Sequence, residues 1–210
     1  MYHFGYVKLR EAPVWFGADP GGEGTFGVAV LERDGSSRSA CVSSADEALD
    51  WLRSQAELGC PLGIDAPLWW SSARGGGRKA DRWLRDRYAI PSGTVQSANS
   101  LRGAALVQGM MLAYRYRLPA PAAYITEAHP KALLKAMNLS AVDWQSICHR
   151  LDLRGPPPAG ENERDAVLAA VAAREGSAGQ WTHNLAADRD ASELDPAHYW
   201  LAPVNYAWFE

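Results

Sequence analysis

Val14-Trp15-Phe16-Gly17-Ala18-Asp19 decides the fold: it reads as a short buried strand that ends in a carboxylate. Pro20-Gly21-Gly22-Glu23-Gly24 follows as a turn, because glycine tolerates positive φ and proline fixes its own. Residues 25–32 read as a second strand, Asp34-Gly35-Ser36-Ser37 as another turn, and 38–43 as a third strand. The chain therefore opens with a three-stranded meander.

Beyond the meander the period changes. Ser44-Ala45-Asp46-Glu47 has capping-box spacing, and Ala45, Leu49, Leu52 and Ala56 recur at helical intervals up to Gly59. Residues 61–65, Pro-Leu-Gly-Ile-Asp, form a second short strand ending in an acid. Further helices are expected at 79–88, 101–117, 130–137, 141–151 and 161–174, with a strand at 122–127 that ends in Glu127. From Trp181 the chain reads as a loop-like, aromatic-rich extension, 181–210, packing on a single domain that spans 1–210. The order β-β-β-α-β-α-β-α predicts an α/β fold: a mixed sheet with helices on its faces.

Composition bounds the rest. The 210 residues are 47% hydrophobic and 21% charged, enough for one core that needs no staples. Cys41, Cys60 and Cys148 are odd in number and form no CxxC pair, against a zinc ribbon or a disulfide framework. No apolar run is long enough to span a bilayer, so no membrane partner is expected. Met1 to Arg10 lacks an apolar h-region, and the simplest compartment is the cytoplasm. The net charge of −3 argues against a nonspecific nucleic-acid coat. One local basic patch stands out: Arg74, Arg78, Lys79, Arg82, Arg85 and Arg87 against Asp81 and Asp86, a balance of +4.

Three expected strands end in an acid: Asp19, Asp65 and Glu127. If those strands are adjacent and parallel, the carboxylates line one edge of the sheet, where α/β proteins place ligands. Bare like charges at that spacing repel. Hard oxygen ligands without a nearby histidine or cysteine favour Mg²⁺ or Mn²⁺, and two such ions would serve phosphodiester chemistry. Asp165 is a fourth candidate, on a helix stripe shared with Leu168, Ala169 and Ala172. The alternative reading makes each acid a turn former or helix cap. His129, before Pro130, reads as a turn residue first and as a metal ligand or base second. Trp69 and Trp70 read as core seals rather than base-stacking rings, and the carboxyl-terminal aromatics as closing the core or a subunit interface.

At these residues the chain resembles the domain of unknown function 429 family, described as predicted RNase H-like nucleases. The matching segments are Gly17-Ala18-Asp19, Gly63-Ile64-Asp65-Ala66-Pro67-Leu68, Arg78-x-x-Asp81-Arg82-x-x-Arg85, Glu127-Ala128-His129-Pro130 and Glu163-Arg164-Asp165-Ala166. The resemblance implies an RNase H-like five-stranded mixed sheet of order 3-2-1-4-5, strand 2 antiparallel, with helices on both faces. It implies metal-dependent cleavage at phosphodiesters, with Asp19 as the first-strand aspartate. Pro20 departs from the commoner Asp-x-Gly pattern.

The expected function is a divalent-metal-dependent nuclease. Asp19, Asp65, Glu127 and Asp165 would serve as catalytic and metal-binding residues, with Mg²⁺ or Mn²⁺ as cofactor. Arg78, Lys79, Arg82 and Arg85 would bind the substrate, and nucleic acid is the expected partner. A homodimer is a further expectation. The alternatives are a catalytically silent binding or scaffold protein and, third, an actin-like ATP-binding phosphotransferase.

Overall fold

The three-dimensional structure is a computed structural model and describes residues 14–210 apart from Arg102 and Leu201. The reading of Met1 to Arg10 lies outside those residues. β1 (Val14–Asp19), β2 (Phe26–Glu32) and β3 (Ser37–Val42) form the expected meander. β4 (Leu62–Ile64) and β5 (Ile125–Glu127) complete a five-stranded sheet of order β3-β2-β1-β4-β5. β2 runs antiparallel to both its neighbours, whereas β1–β4 and β4–β5 are parallel, so β2 alone is reversed. This is the α/β topology expected from the sequence.

α1 (Ala45–Gln55) starts at Ser44, whose side chain accepts from the Glu47 N–H, as the capping-box spacing requires. α1 and α3 (Gly103–Arg117) cover one face of the sheet, against Phe16, Val28, Val30 and Ile64. α6 (Glu161–Ser177) lies along the other, with α5 (Trp144–Leu151) beside it over Ala29 and Leu31. α2 (Lys79–Tyr88) and α4 (Pro130–Ala136) follow β4 and β5.

The expected loop-like tail holds more order than the sequence indicated. β6 (His183–Asn184) pairs with β7 (Ala207–Trp208), and α7 (Pro196–Trp200) lies between them. Asn205 donates its N–H to the Ile125 carbonyl and accepts from the Glu127 N–H, both within 2.9 Å, which covers the outer edge of β5. Tyr206 and Trp208 are fully buried, so these two aromatics close the core. Trp69 is buried as well. Among the described residues no helix is long and apolar enough to cross a membrane.

Candidate functional site

Three glycines set the site. Gly27, Gly17 and Gly63 lie on adjacent strands beneath α6. A Cβ on Gly17 would sit 1.9 Å from the Ala166 carbonyl oxygen, on Gly63 1.9 Å from that of Ala169, and on Gly27 2.0 Å from that of Asn162. Bare strand backbone therefore lets the alanine-rich α6 lie directly on the sheet. Asp19 and Asp65 come two residues after Gly17 and Gly63. Strand side chains alternate faces, so both acids emerge on the α6 side at the carboxyl rim. Asp165 precedes Ala166, the residue seated on Gly17, and reaches the same rim.

Electrostatics records the meeting. Burial first, and the Asp165 charge second, push the Asp19 carboxyl up to about 8. Burial raises Asp65 well above the usual carboxylate range, and Asp19 and Asp165 add to it. Burial also raises Asp165, opposed by Arg164. Arg164 donates from Nε and Nη2 to Asp165 Oδ1 at 2.9 and 2.7 Å.

Glu127 reaches the same cleft from the other face of the sheet and adds, least of the three acids, to the rise of Asp65. Its strand is offset by one residue: Ile64 pairs with Glu127, so the register partner of Asp65 is Ala128. One residue of offset turns a strand side chain to the other face. Glu127 enters that opposite face, 2% exposed, and binds Arg78 through Nη1–Oε2 at 2.7 Å and Nη2–Oε1 at 2.6 Å. The Leu68 N–H donates to Oε2 at 3.1 Å. Arg78, itself 1% exposed, also holds buried Asp81 through Nε–Oδ2 at 3.1 Å and Nη2–Oδ1 at 2.7 Å. Its guanidinium lies 4.1 Å from the Trp69 ring centroid. Glu127, expected to complete a four-carboxylate shell, is thus held by Arg78 on the face opposite the aspartates.

The side chains expected to grip phosphate all have partners within the protein. Arg78 is buried between two acids. Lys79 pairs with Asp188 at 2.7 Å, Arg82 pairs with Asp190, and Arg85 donates to the Val95 carbonyl at 3.1 Å. The Glu193 carboxylate accepts from the Lys79 N–H at 2.6 Å and from Trp69 Nε1 at 2.7 Å. The basic patch thus fastens the acidic 188–193 segment onto α2. Sequence reading did not connect the two because they lie more than a hundred residues apart.

The rim opens into a cleft of about 260 Å³ with Asp19, Asp65, His129 and Lys131 on its walls and Thr94 and Gln96 across it. His129 Nδ1 lies 4.0 Å from Asp65 Oδ1 and has no hydrogen-bond partner. Burial pushes the ring down to about 4, so it is neutral at pH 7. Lys131 was not singled out from sequence. It lowers the pKa of all three aspartates and is held by Glu161 at 2.7 Å. Glu161 precedes Asp165 by four residues, one helical turn, and that spacing was the available signal.

Among the described residues no group of three or more His, Cys, Asp or Glu side chains is arranged to hold a metal ion. That disfavours a rigid, all-protein cage. Mg²⁺ is commonly held by only one or two carboxylates, with water and substrate oxygens completing the octahedron. The Asp19–Asp65 pair, hard oxygen donors with Asp19 near enough to raise Asp65, fits that kind of ion.

No curated protein and no solved structure matches the chain. A family model does, over residues 17–195, which include both glycine-spaced aspartates, the Arg78 network and α6. On that match the chain belongs to the protein family of unknown function DUF429.

Proposed function

We propose that the protein is a divalent-metal-dependent phosphodiester hydrolase acting on nucleic acid at the Asp19–Asp65 rim. One observation carries the reading: Asp19 at the end of β1, Asp65 just past β4 and Asp165 on α6 share one rim, where burial first and their mutual charges second raise Asp19 and Asp65. Such a cluster holds excess protons at neutral pH until a cation replaces them. Asp19 and Asp65 would bind Mg²⁺ or Mn²⁺. Asp165, fixed by Arg164, would supply the adjoining negative charge.

Bound there, the ion supplies Lewis-acid polarisation of a phosphoryl oxygen and an acidified water. The chain's own groups orient the substrate. Lys131, on the cleft wall and half exposed beside Glu161, is placed to contact a phosphate. Neutral His129 leaves Nδ1 free to hold a water against Asp65.

Titration calorimetry with Mn²⁺ tests the reading. Wild type should bind, and Asp19→Asn should bind at least about 10-fold more weakly. Failure of wild type to bind Mn²⁺ or Mg²⁺ removes the reading.

A binding or scaffold protein is the second reading. The internal pairing of Lys79 and Arg82 favours it, since it reduces the surface available to a phosphate backbone. Metal binding without cleavage across RNA, DNA and hybrid substrates would select it. The expected homodimer rests on a separate surface, the outer face of α3.

A further inference from the structure

Six large apolar side chains stay exposed among the described residues: Val107, Met111, Tyr114, Leu118, Val142 and Tyr199. Four of them follow one another at steps of four, three and four: Val107, Met111 and Tyr114 on α3, and Leu118 in the turn just past its end. That is the spacing of a helix–helix seam. Tyr199 joins Met111 and Tyr114 at an apolar groove of about 460 Å³, whose other walls include Leu68, Trp70, Met110 and Trp200. Only Val142 lies away from this face.

The face offers carbon and almost nothing else. No charged residue lines the groove. Trp69 Nε1 is taken by Glu193 and Trp200 Nε1 by the Leu68 carbonyl, each at 2.7 Å. The two arginines of α3 are also engaged elsewhere. Arg115 pairs with Asp46 at 3.3 Å, and Arg117 is buried against the carbonyls of Trp200, Ala202 and Pro203. A phosphate-bearing or strongly charged partner has no counter-charge here. An apolar ridge and an apolar groove side by side suit a partner that carries both, which a second copy does when turned about a two-fold axis.

The area agrees. At 46–60% exposure, the five side chains leave roughly 600 Å² of surface open, the upper end of what a monomer keeps in one patch. Buried on both copies, it gives about 1,200 Å² in all, the lower end of specific interfaces.

We propose that the protein is a homodimer in which the α3 ridge of each copy packs against the α3 ridge and apolar groove of the other about a two-fold axis. The inference does not depend on the chemistry of the acidic rim. The groove wall Leu68–Trp70 continues directly from Asp65–Pro67, so the interface would also support the loop that carries the site.

Sedimentation equilibrium of the full chain from about 1 to 100 µM tests this. Wild type should show twice the chain mass. Tyr114→Asp and Met111→Glu should each weaken association by about 100-fold or more, the range of a central interface residue. Both side chains are exposed, so far-UV circular dichroism should match wild type. Val142→Asp should dimerise as wild type does. A wild type that stays monomeric at about 100 µM overturns the proposal, and so do folded Tyr114→Asp and Met111→Glu variants that dimerise undiminished.

Discussion

Replacing Asp19 by Asn should stabilise the metal-free protein, increasingly so as pH rises. The folded protein keeps the Asp19 carboxyl protonated up to about 8, chiefly because it is buried. An unfolded chain ionises it near 3.9. Between those values the folded state binds more protons than the unfolded one, so stability falls as pH rises, by at most about 1.4 kcal/mol per pH unit. Integrated from pH 7 to 9, through the folded midpoint, Asp19 alone accounts for a loss of about 1.4 kcal/mol.

His129 works in the opposite sense. It is held down to about 4 by burial and is regained by the unfolded chain near 6.5, so its effect is confined to pH below about 7. The raised thiols Cys60 and Cys148 act at higher pH and are common to both proteins, and Cys41 loses only the last and smallest of its causes, the Asp19 charge. Asp65 loses the repulsion of Asp19 in the variant, which shallows its pH dependence in the same direction.

Urea denaturation at pH 7, 8 and 9 in EDTA measures the difference. The variant should be the more stable at pH 7, and its advantage should grow by about 1.4 kcal/mol by pH 9. Mg²⁺ at about 100 times its Kd should restore about 2.7 kcal/mol to wild type and little to Asp19→Asn. A pH-independent difference, or a variant less stable than wild type at pH 9, refutes the electrostatic account of the rim.

Three further outcomes follow from the geometry. Arg78→Met leaves Asp81 and Glu127 buried without their cation, so it should cost about 3–5 kcal/mol in urea denaturation. Glu127→Gln should lower stability while leaving Mn²⁺ affinity within about twofold of wild type, whereas Asp65→Asn should abolish the calorimetric signal; equal losses of affinity would return Glu127 to the metal shell. Gly63→Ala places a methyl 1.9 Å from the Ala169 carbonyl oxygen, and α6 cannot retreat without leaving Gly17 and Gly27 as well. It should unfold the domain or lower its thermal midpoint by more than about 10 °C, and an unaltered melt would show that α6 yields easily.

Local sequence was sufficient for most of the architecture. Alternation and turn chemistry placed β1 at Val14–Asp19 without error and the α2 helix at Lys79–Tyr88 likewise, because those patterns depend only on neighbours in the chain. The α6 helix runs to Ser177, one turn past the expected end. The tail was read as loop because β6 and β7 are two residues each and gain their order from pairing across more than twenty residues.

The acids divide in the same way. The sequence by itself determined that Asp19 and Asp65, each two residues past a strand glycine, end buried strands. Only the tertiary structure decided their company. A one-residue register offset on β5 sends Glu127 into Arg78, and the fold-back of Asp188 and Asp190 pairs Lys79 and Arg82 of the basic patch. Both outcomes are set by long-range pairing, and a strand's own residues do not record which neighbour it will meet or in what register.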